Sequence, residues 1–373
     1  MKSIRKTLGT AVIVTLLIWI ASPLVAEEAP DFLKGNVHLL DKAKLSLAKK
    51  FTAAEKEFKK SMRGDTYFTG YIFLSRHDIH MGGDRNSTGP YSVTVKDNDI
   101  KMRRISKRGK GGESFSTEEG GEPAGLLFLH RVSRNKGEII DVRIIDLNRT
   151  FEFKEEPVYW LGEADNDKSL RFLEDRFKSG GTDLQKTMVW IISSHDSSKG
   201  PGIIRRVALG DYATKVRKSA IFWLGNYKDK KSLGYLKEIS NKVRDTELRK
   251  QVVFAIQLSD QEEALKELVK IAKTSRSQKV RKSAIFWLGQ KASKECIKAL
   301  KDMVEESKDV DVKKSAVFAI SQLPKEKAVP ILIDIARTNK SPSVRKNAIF
   351  WLGQKDSDEA LKFFEEILLK KKY

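Results

Sequence analysis

The sequence predicts a mainly α protein. An α-solenoid of helical repeats with a period of 32 residues follows a small N-terminal α+β region that contains an antiparallel sheet. Three observations carry this reading. The string from Val216 to Gly225 returns unchanged from Val280 to Gly289 and, one substitution apart, from Val344 to Gly353. Related copies run Leu248 to Ile256 and Val312 to Ile320, midway between them. Residues 64–150 have a different texture, with short aromatic and β-branched runs separated by Gly, Asn, Asp and Lys. Self-similarity at a fixed period of this length marks units that bury their apolar faces on one another.

In chain order, residues 1–26 have the layout of a secretory signal. Lys2, Arg5 and Lys6 precede an apolar run from Leu8 to Val25, and Ala26 stands before Glu27-Glu28. Cleavage after Ala26 is expected, which places the body of the protein outside the cytoplasm, periplasmic or secreted. The alternative is an uncleaved anchor, since Thr7 to Ala26 nearly reaches the ~20 residues of a membrane helix. Removal of the three basic residues takes the net charge from +21 to +18. Cys296 is the single cysteine, so no disulfide forms within the chain.

Residues 27–63 form the next unit. Leu47, Phe51, Ala54, Phe58 and Met62 repeat at spacings of four and three, an apolar stripe on a helix over roughly 41–63. Residues 64–150 are assigned to the sheet, with about four or five strands. Tyr67 to Leu74 is strand-like. Tyr91 to Val95 and Ile100 to Ile105 flank a polar turn as one hairpin, and Leu126 to Val132 and Ile139 to Ile145 form a second. Lys107 to Gly125 reads as a loop.

Residues 151–373 are assigned to the solenoid, about seven copies beginning near 152, 184, 216, 248, 280, 312 and 344. The copy near 152 rests on Val158-Tyr159-Trp160-Leu161-Gly162, which echoes Ile221 to Gly225. Each copy holds two helices. Asp245, Ser277, Asp309 and Ser341 are expected to cap the first, with Pro342 at a first helical position. Gly225, Gly289 and Gly353 are expected to end three of these helices in a left-handed cap. The second helix carries apolar columns such as Leu236, Leu268, Leu300, Leu332 and Ile239, Ile271, Met303, Ile335.

These residues resemble HEAT-like repeats of the phycobilisome-lyase type. That pattern stands here as Ser277-x-x-Val280-Arg281-x-x-Ala284-x-x-x-Leu288-Gly289 and Glu263-Ala264-Leu265-Lys266-Glu267-Leu268. Pro330 matches a proline common in HEAT outer helices. The strand region joined to the Tyr-Trp-Leu-Gly segment also looks like a group of secreted bacterial HEAT proteins. The resemblance implies a scaffold in which the first helix of each pair is the inner one and the Arg217, Arg249, Arg281, Arg345 column bonds neighbouring repeats. It implies no lyase activity.

A helical wheel at ~100° per residue puts Val280, Ala284, Leu288 and Trp287 on the core side and Lys282 and Phe286 nearly opposite. Repetition then makes two rows. One is Lys186, Lys218, Lys250, Lys282, Lys314, Lys346; the other is Trp190, Phe222, Phe254, Phe286, Phe318, Phe350. Basic side chains supply long-range attraction, and rings supply contact area that sheds water. These twelve are the candidate partner-binding residues. The lysines could instead be an ordinary solvated face, and the rings could lean between repeats and only pack. Trp223, Trp287 and Trp351, alternating with Ala255 and Ala319, are expected in the core.

Catalytic chemistry is sparse. His77, His80 and Asp84 lie close in sequence but no third ligand is fixed by spacing. His38, His130 and His195 are isolated. No Gly-x-Ser-x-Gly motif is present, and Gly109-Lys110-Gly111-Gly112 lacks the spacing of a phosphate loop. No catalytic residue, metal, cofactor or small-molecule substrate is expected. The leading expectation is an exported, non-enzymatic scaffold that binds a protein partner with an acidic surface. Binding of a polyanion is the alternative, whether an envelope polymer, an anionic membrane surface or nucleic acid.

Overall fold

The structure is a computed structural model, and it describes residues 29–40, 44–61, 64–76, 91–96, 99–104, 121–133, 136–259 and 261–370. The signal-like segment and the His77, His80, Asp84 group lie outside these residues.

The N-terminal unit comprises β1 (Leu33–Leu39), α1 (Leu47–Ser61), β2 (Thr66–Ser75), β3 (Tyr91–Lys96), β4 (Asp99–Arg104), β5 (Glu122–Ser133), β6 (Lys136–Ile145), β7 (Phe151–Glu163) and α2 (Asn166–Phe177). Both expected hairpins form: β3 pairs antiparallel with β4, and β5 with β6. The sheet as a whole is mixed, however. Its order is β4-β3-β7-β2-β5-β6, with β1 on the other edge of β7. β7 runs parallel to β1, β2 and β3.

β7 corrects the reading of the copy near 152. Residues 151–163 are a strand, so that copy keeps only its second helix, α2. Pro157 removes an N–H that a helix would need, and Phe151-x-Phe153 alternates with period two. The similarity of Val158 to Gly162 to a helical string reflects burial on both faces of the sheet. Val158 and Trp160 face one cluster, with Phe68, Leu127, Leu129 and Phe153, while Tyr159 and Leu161 face the helices. Trp160 covers Gly70 so closely that a Cβ there would sit 2.4 Å from its ring.

On the helix-facing side, Leu47, Phe51, Ala54 and Phe58 of α1 are buried, as the stripe predicts. Phe51 stacks on Phe172 of α2 at 4.1 Å. Lys50 is buried too, and donates to the carbonyl of Leu161 at 2.7 Å.

Six helix pairs follow: α3 (Thr182–Ser194) with α4 (Gly200–Leu209), α5 (Thr214–Asn226) with α6 (Lys230–Lys242), and α7 (Thr246–Gln257) with α8 (Glu262–Thr274). Then come α9 (Gln278–Lys291) with α10 (Lys294–Glu306), α11 (Val310–Ser321) with α12 (Lys325–Thr338), and α13 (Pro342–Leu352) with α14 (Asp358–Lys370). The first helices α3, α5, α7, α9, α11 and α13 pack side by side in an unbroken row, whereas the second helices touch one another only lightly. A row that packs tighter on one side curves toward that side, so the first helices are the inner ones.

One buried apolar cluster runs from α1 and the sheet through to α14. The sheet therefore closes the N-terminal end of the stack. The join is specific: Arg76 N–H donates to Ser194 O at 2.9 Å, and Asp196 N–H donates to Leu74 O at 3.0 Å.

Two local expectations need correction. Gly225 and Gly289 are not left-handed caps; they lie inside α5 and α9, and none of the three repeat glycines has positive φ. They are glycine because the next inner helix passes too close for a side chain. A Cβ at Gly225 would meet Ala255 backbone oxygen at 2.8 Å, and one at Gly289 would meet Ala319 Cβ at 3.0 Å. The left-handed helix ends belong instead to Lys228 (φ 55) and Ala292 (φ 49). Asp245 and Asp309 cap their helices through side-chain bonds, but Ser277 and Ser341 make none.

Candidate binding face of the inner helices

Both predicted rows lie on the inner helices and outside the core. None of Lys186, Lys218, Lys250, Lys282, Lys314 and Lys346 is buried, and none of Trp190, Phe222, Phe254, Phe286, Phe318 and Phe350 is fully buried. The rows are not uniform along the stack. Lys186 pairs with Asp183 at 3.1 Å. Lys218 and Lys250 share Glu247, at 3.5 and 3.3 Å. Lys282, Lys314 and Lys346 have no carboxylate partner among the described residues.

The sequence explains the difference. Asp183 and Glu247 stand three residues before their lysines, on the same helix face. The equivalent positions before Lys282 and Lys346 are Lys279 and Ser343. Asp311 precedes Lys314, but its carboxylate accepts from the Gln278 side chain instead. Within this row, and among the described residues, the lysines without a carboxylate partner are thus those of α9, α11 and α13.

The rings divide differently, since Phe318 on α11 is half-buried. Phe286 is 38% exposed and Phe350 57%, the two most open rings of their row. The question of whether this row packs or faces solvent has a mixed answer. Phe222 stacks on Phe254 across the repeat boundary, with centroids 6.1 Å apart. Phe254 leans on Trp287 at 5.0 Å, and Phe318 on Trp351 at 5.0 Å. Phe286 contacts Trp287 at 5.1 Å and Phe350 contacts Trp351 at 5.0 Å, each on its own helix.

Trp223, Trp287 and Trp351 therefore correct the core expectation. They are half-buried and join the aromatic face. Ala255 and Ala319, the small members of the same column, are fully buried against Gly225 and Gly289. The boundaries between inner helices alternate in kind: Gly meets Ala at α5–α7 and α9–α11, and Phe meets Trp at α7–α9 and α11–α13. The structural unit is thus two repeats, which the exact return of the string after 64 residues already contained.

The arginine column ties repeats together as expected. Arg281 donates to Ser275 O at 2.8 Å and to the capping carboxylate of Asp309 at 2.8 Å. Arg249 donates to Ser275 Oγ at 3.2 Å, Arg217 to Ala208 O at 2.9 Å and Arg345 to Asn339 O at 2.8 Å. These fix the register on which the rows depend.

Elsewhere, Ser169 donates to His195 Nε2 at 2.7 Å, and Ser169 Oγ accepts from Tyr71 at 2.7 Å. His195 Nδ1 donates to Ile191 O at 2.8 Å, which sets the tautomer. A serine beside a histidine base has the form of a nucleophile pair. All three side chains are sealed from solvent, so the trio offers no substrate access and instead joins β2, α2 and α3. Burial lowers the His195 pKa to about 4. His130, also read as isolated, bonds Thr69 at 2.7 Å and stacks on Tyr67 at 4.5 Å. Burial, then the charge of Arg176, lowers its pKa to about 3. Among the described residues no group of three or more His, Cys, Asp and Glu is placed to hold a metal. None of the described helices is long and apolar enough to cross a membrane.

The HEAT-repeat family model matches residues 204–285 and 265–340, a stretch that the structure shows as paired helical repeats. Among solved structures, the complex of CpcE and CpcF of phycocyanin lyase from Nostoc is 16% identical over 42% of this chain and 99% of its own, with a TM-score of 0.29. AlkD2 from Streptococcus mutans is 18% identical over 52% of this chain and 99% of its own, with a TM-score of 0.36. Kap121p bound to Nup53p is 16% identical over 54% of this chain and 22% of its own, with a TM-score of 0.33. No curated protein matches the chain.

Proposed function

We propose that this protein is an exported, non-enzymatic HEAT-repeat scaffold that holds an acidic protein partner against its inner helices. One observation carries the reading: Lys282, Lys314 and Lys346 lack carboxylate partners among the described residues and stand beside the open rings of Phe286 and Phe350. An ammonium already paired gains little from a new carboxylate, whereas an unpaired one exchanges only water. Exposed aromatic rings gain by losing water on contact. Together they favour a surface that is acidic and partly apolar.

Export rests on the basic, apolar and small-residue order of residues 1–26. The mature protein recovered from an envelope or culture fraction should begin at Glu27. Recovery of the whole chain from the cytoplasm would remove that part of the proposal.

The binding claim is tested by capture from envelope extract. Reversal of Lys282, Lys314 and Lys346 to Glu should abolish capture of an acidic protein, while reversal of Lys298 and Lys301 on α10 should leave it intact. Loss with both variants, or with neither, would count against an inner-face site. The polyanion alternative draws on the same unpaired lysines. It predicts affinity that falls steeply and log-linearly with salt and is insensitive to Phe350→Ala.

A further inference from the structure

We infer that the segment held by this face is an extended acidic stretch in the polyproline II conformation, with a carboxylate at every third residue and proline or other apolar side chains between. The inference rests on the binding-face reading above and names the shape of what binds.

The argument is one of pitch. Lys282, Lys314 and Lys346 occupy the same position on three adjacent inner helices. Packed helices lie about 8–10 Å apart. The row therefore offers three charges at that interval along a line crossing the helices. A helical ligand advances about 1.5 Å per residue, so its charges would meet these lysines only six or seven residues apart. A β-strand advances about 3.3 Å per residue, which gives the right distance over three residues, but residues three apart then point to opposite sides. A polyproline II segment rises about 3.1 Å per residue with three residues per turn, so every third side chain lies on one face about 9 Å from the last. Only this conformation matches both spacing and direction at a repeat of three residues.

The rings fit the same ligand. Each Phe stands one helical turn after its lysine, so Phe286, Phe318 and Phe350 run beside the charges. Each is flanked by a tryptophan at 5.0 or 5.1 Å, edge-on or tilted at 53–79°, which makes angled aromatic notches rather than single rings. Grooves lined by aromatic rings bind proline side chains, and a preformed polyproline II chain loses little entropy when it docks. Gln290, Gln322 and Gln354 are exposed four residues beyond the rings. Their amides can both donate to and accept from the peptide groups of such a chain, which has no internal hydrogen bonds.

The test uses two synthetic peptides of equal composition and charge. One carries the core Glu-Pro-Ala-Glu-Pro-Ala-Glu, and the other has its three glutamates on alternate residues. Binding to the mature chain is followed by tryptophan fluorescence and by calorimetry at moderate salt. The in-register peptide should bind at least about fivefold tighter, because mis-spacing leaves two of three charges unpaired. Lys314→Glu should erase that preference, and Phe350→Ala should weaken the in-register peptide alone. Equal binding of both peptides would overturn the inference, since net charge would then suffice. Failure of both peptides would also overturn it. If capture of the acidic protein still depends on the three lysines in that case, the face remains a binding site for a folded partner. If capture is also indifferent to them, both readings fail.

Discussion

The carboxylate of Glu247 on α7 lies 3.5 Å from the ammonium of Lys218 on α5, so a single acidic side chain crosses a repeat boundary and holds the lysine row. It also holds Lys250 at 3.3 Å, and the two lysines keep its pKa below the usual carboxylate range. The acid silences two rungs of the row. Glu247→Gln should therefore extend the available positive face toward the N-terminus and raise affinity for the acidic partner by about two- to fivefold at low salt. Titration across a salt series checks this; affinity unchanged by the substitution would place the bound segment on α9 to α13 alone.

The glycines make a discriminating set. Gly225→Ala and Gly289→Ala should each destabilise by about 1–3 kcal/mol, because the added methyl meets the Ala255 or Ala319 backbone at 3.3 Å or less. Gly353→Ala should be neutral or slightly stabilising, since nothing lies nearer than 3.5 Å and φ is −63. Denaturant melts separate the cases. If all three glycines served as left-handed caps, all three substitutions would be costly.

Lys228 and Ala292 hold the positive φ that glycine accepts freely. Lys228→Gly and Ala292→Gly should each raise stability by about 0.5–1 kcal/mol, read as a shift in the denaturation midpoint at constant slope. Lys228 is the cleaner site, because its side chain is exposed.

Acid should loosen the join between sheet and solenoid. Burial holds His195 near pKa 4 and His130 near 3, both below the ordinary histidine value of 6.5. The unfolded chain then binds more protons than the native one between these limits. Stability is complete above about pH 6.5 and falls as pH drops toward 4, by up to ~3 kcal/mol from His195. Thermal melts from pH 7.5 to 4 should show this slope, and His195→Asn should reduce it to the His130 share while lowering stability at neutral pH.

Much of the solenoid was legible because repetition supplies its own control. The Leu236, Leu268, Leu300, Leu332 column is buried throughout, as a shared helix face requires. The strand β7 was misread because a segment buried on both faces of a sheet is as apolar as an inner helix; Pro157 and the Phe151-x-Phe153 alternation were the available signals. The parallel pairing of β1 was not legible, since Lys34 to His38 alternates weakly and its partner lies more than a hundred residues away. At the candidate face, residue types and register were readable. The split between paired and unpaired lysines needed the geometry of Glu247 and Asp311, two acids at equivalent positions with different partners. The role of the tryptophans was hidden for a related reason: a wheel assigns a side, not how far a large ring reaches from it.

The central claim is that α9, α11 and α13 present the surface that partners occupy. Lysine footprinting tests it most directly, by acetylating the mature protein with and without its captured partner and reading each site by mass spectrometry. The account predicts that Lys282, Lys314 and Lys346 lose reactivity in the complex while Lys298 and Lys301 keep theirs. Undiminished labelling of the three inner lysines in a saturated complex would contradict it.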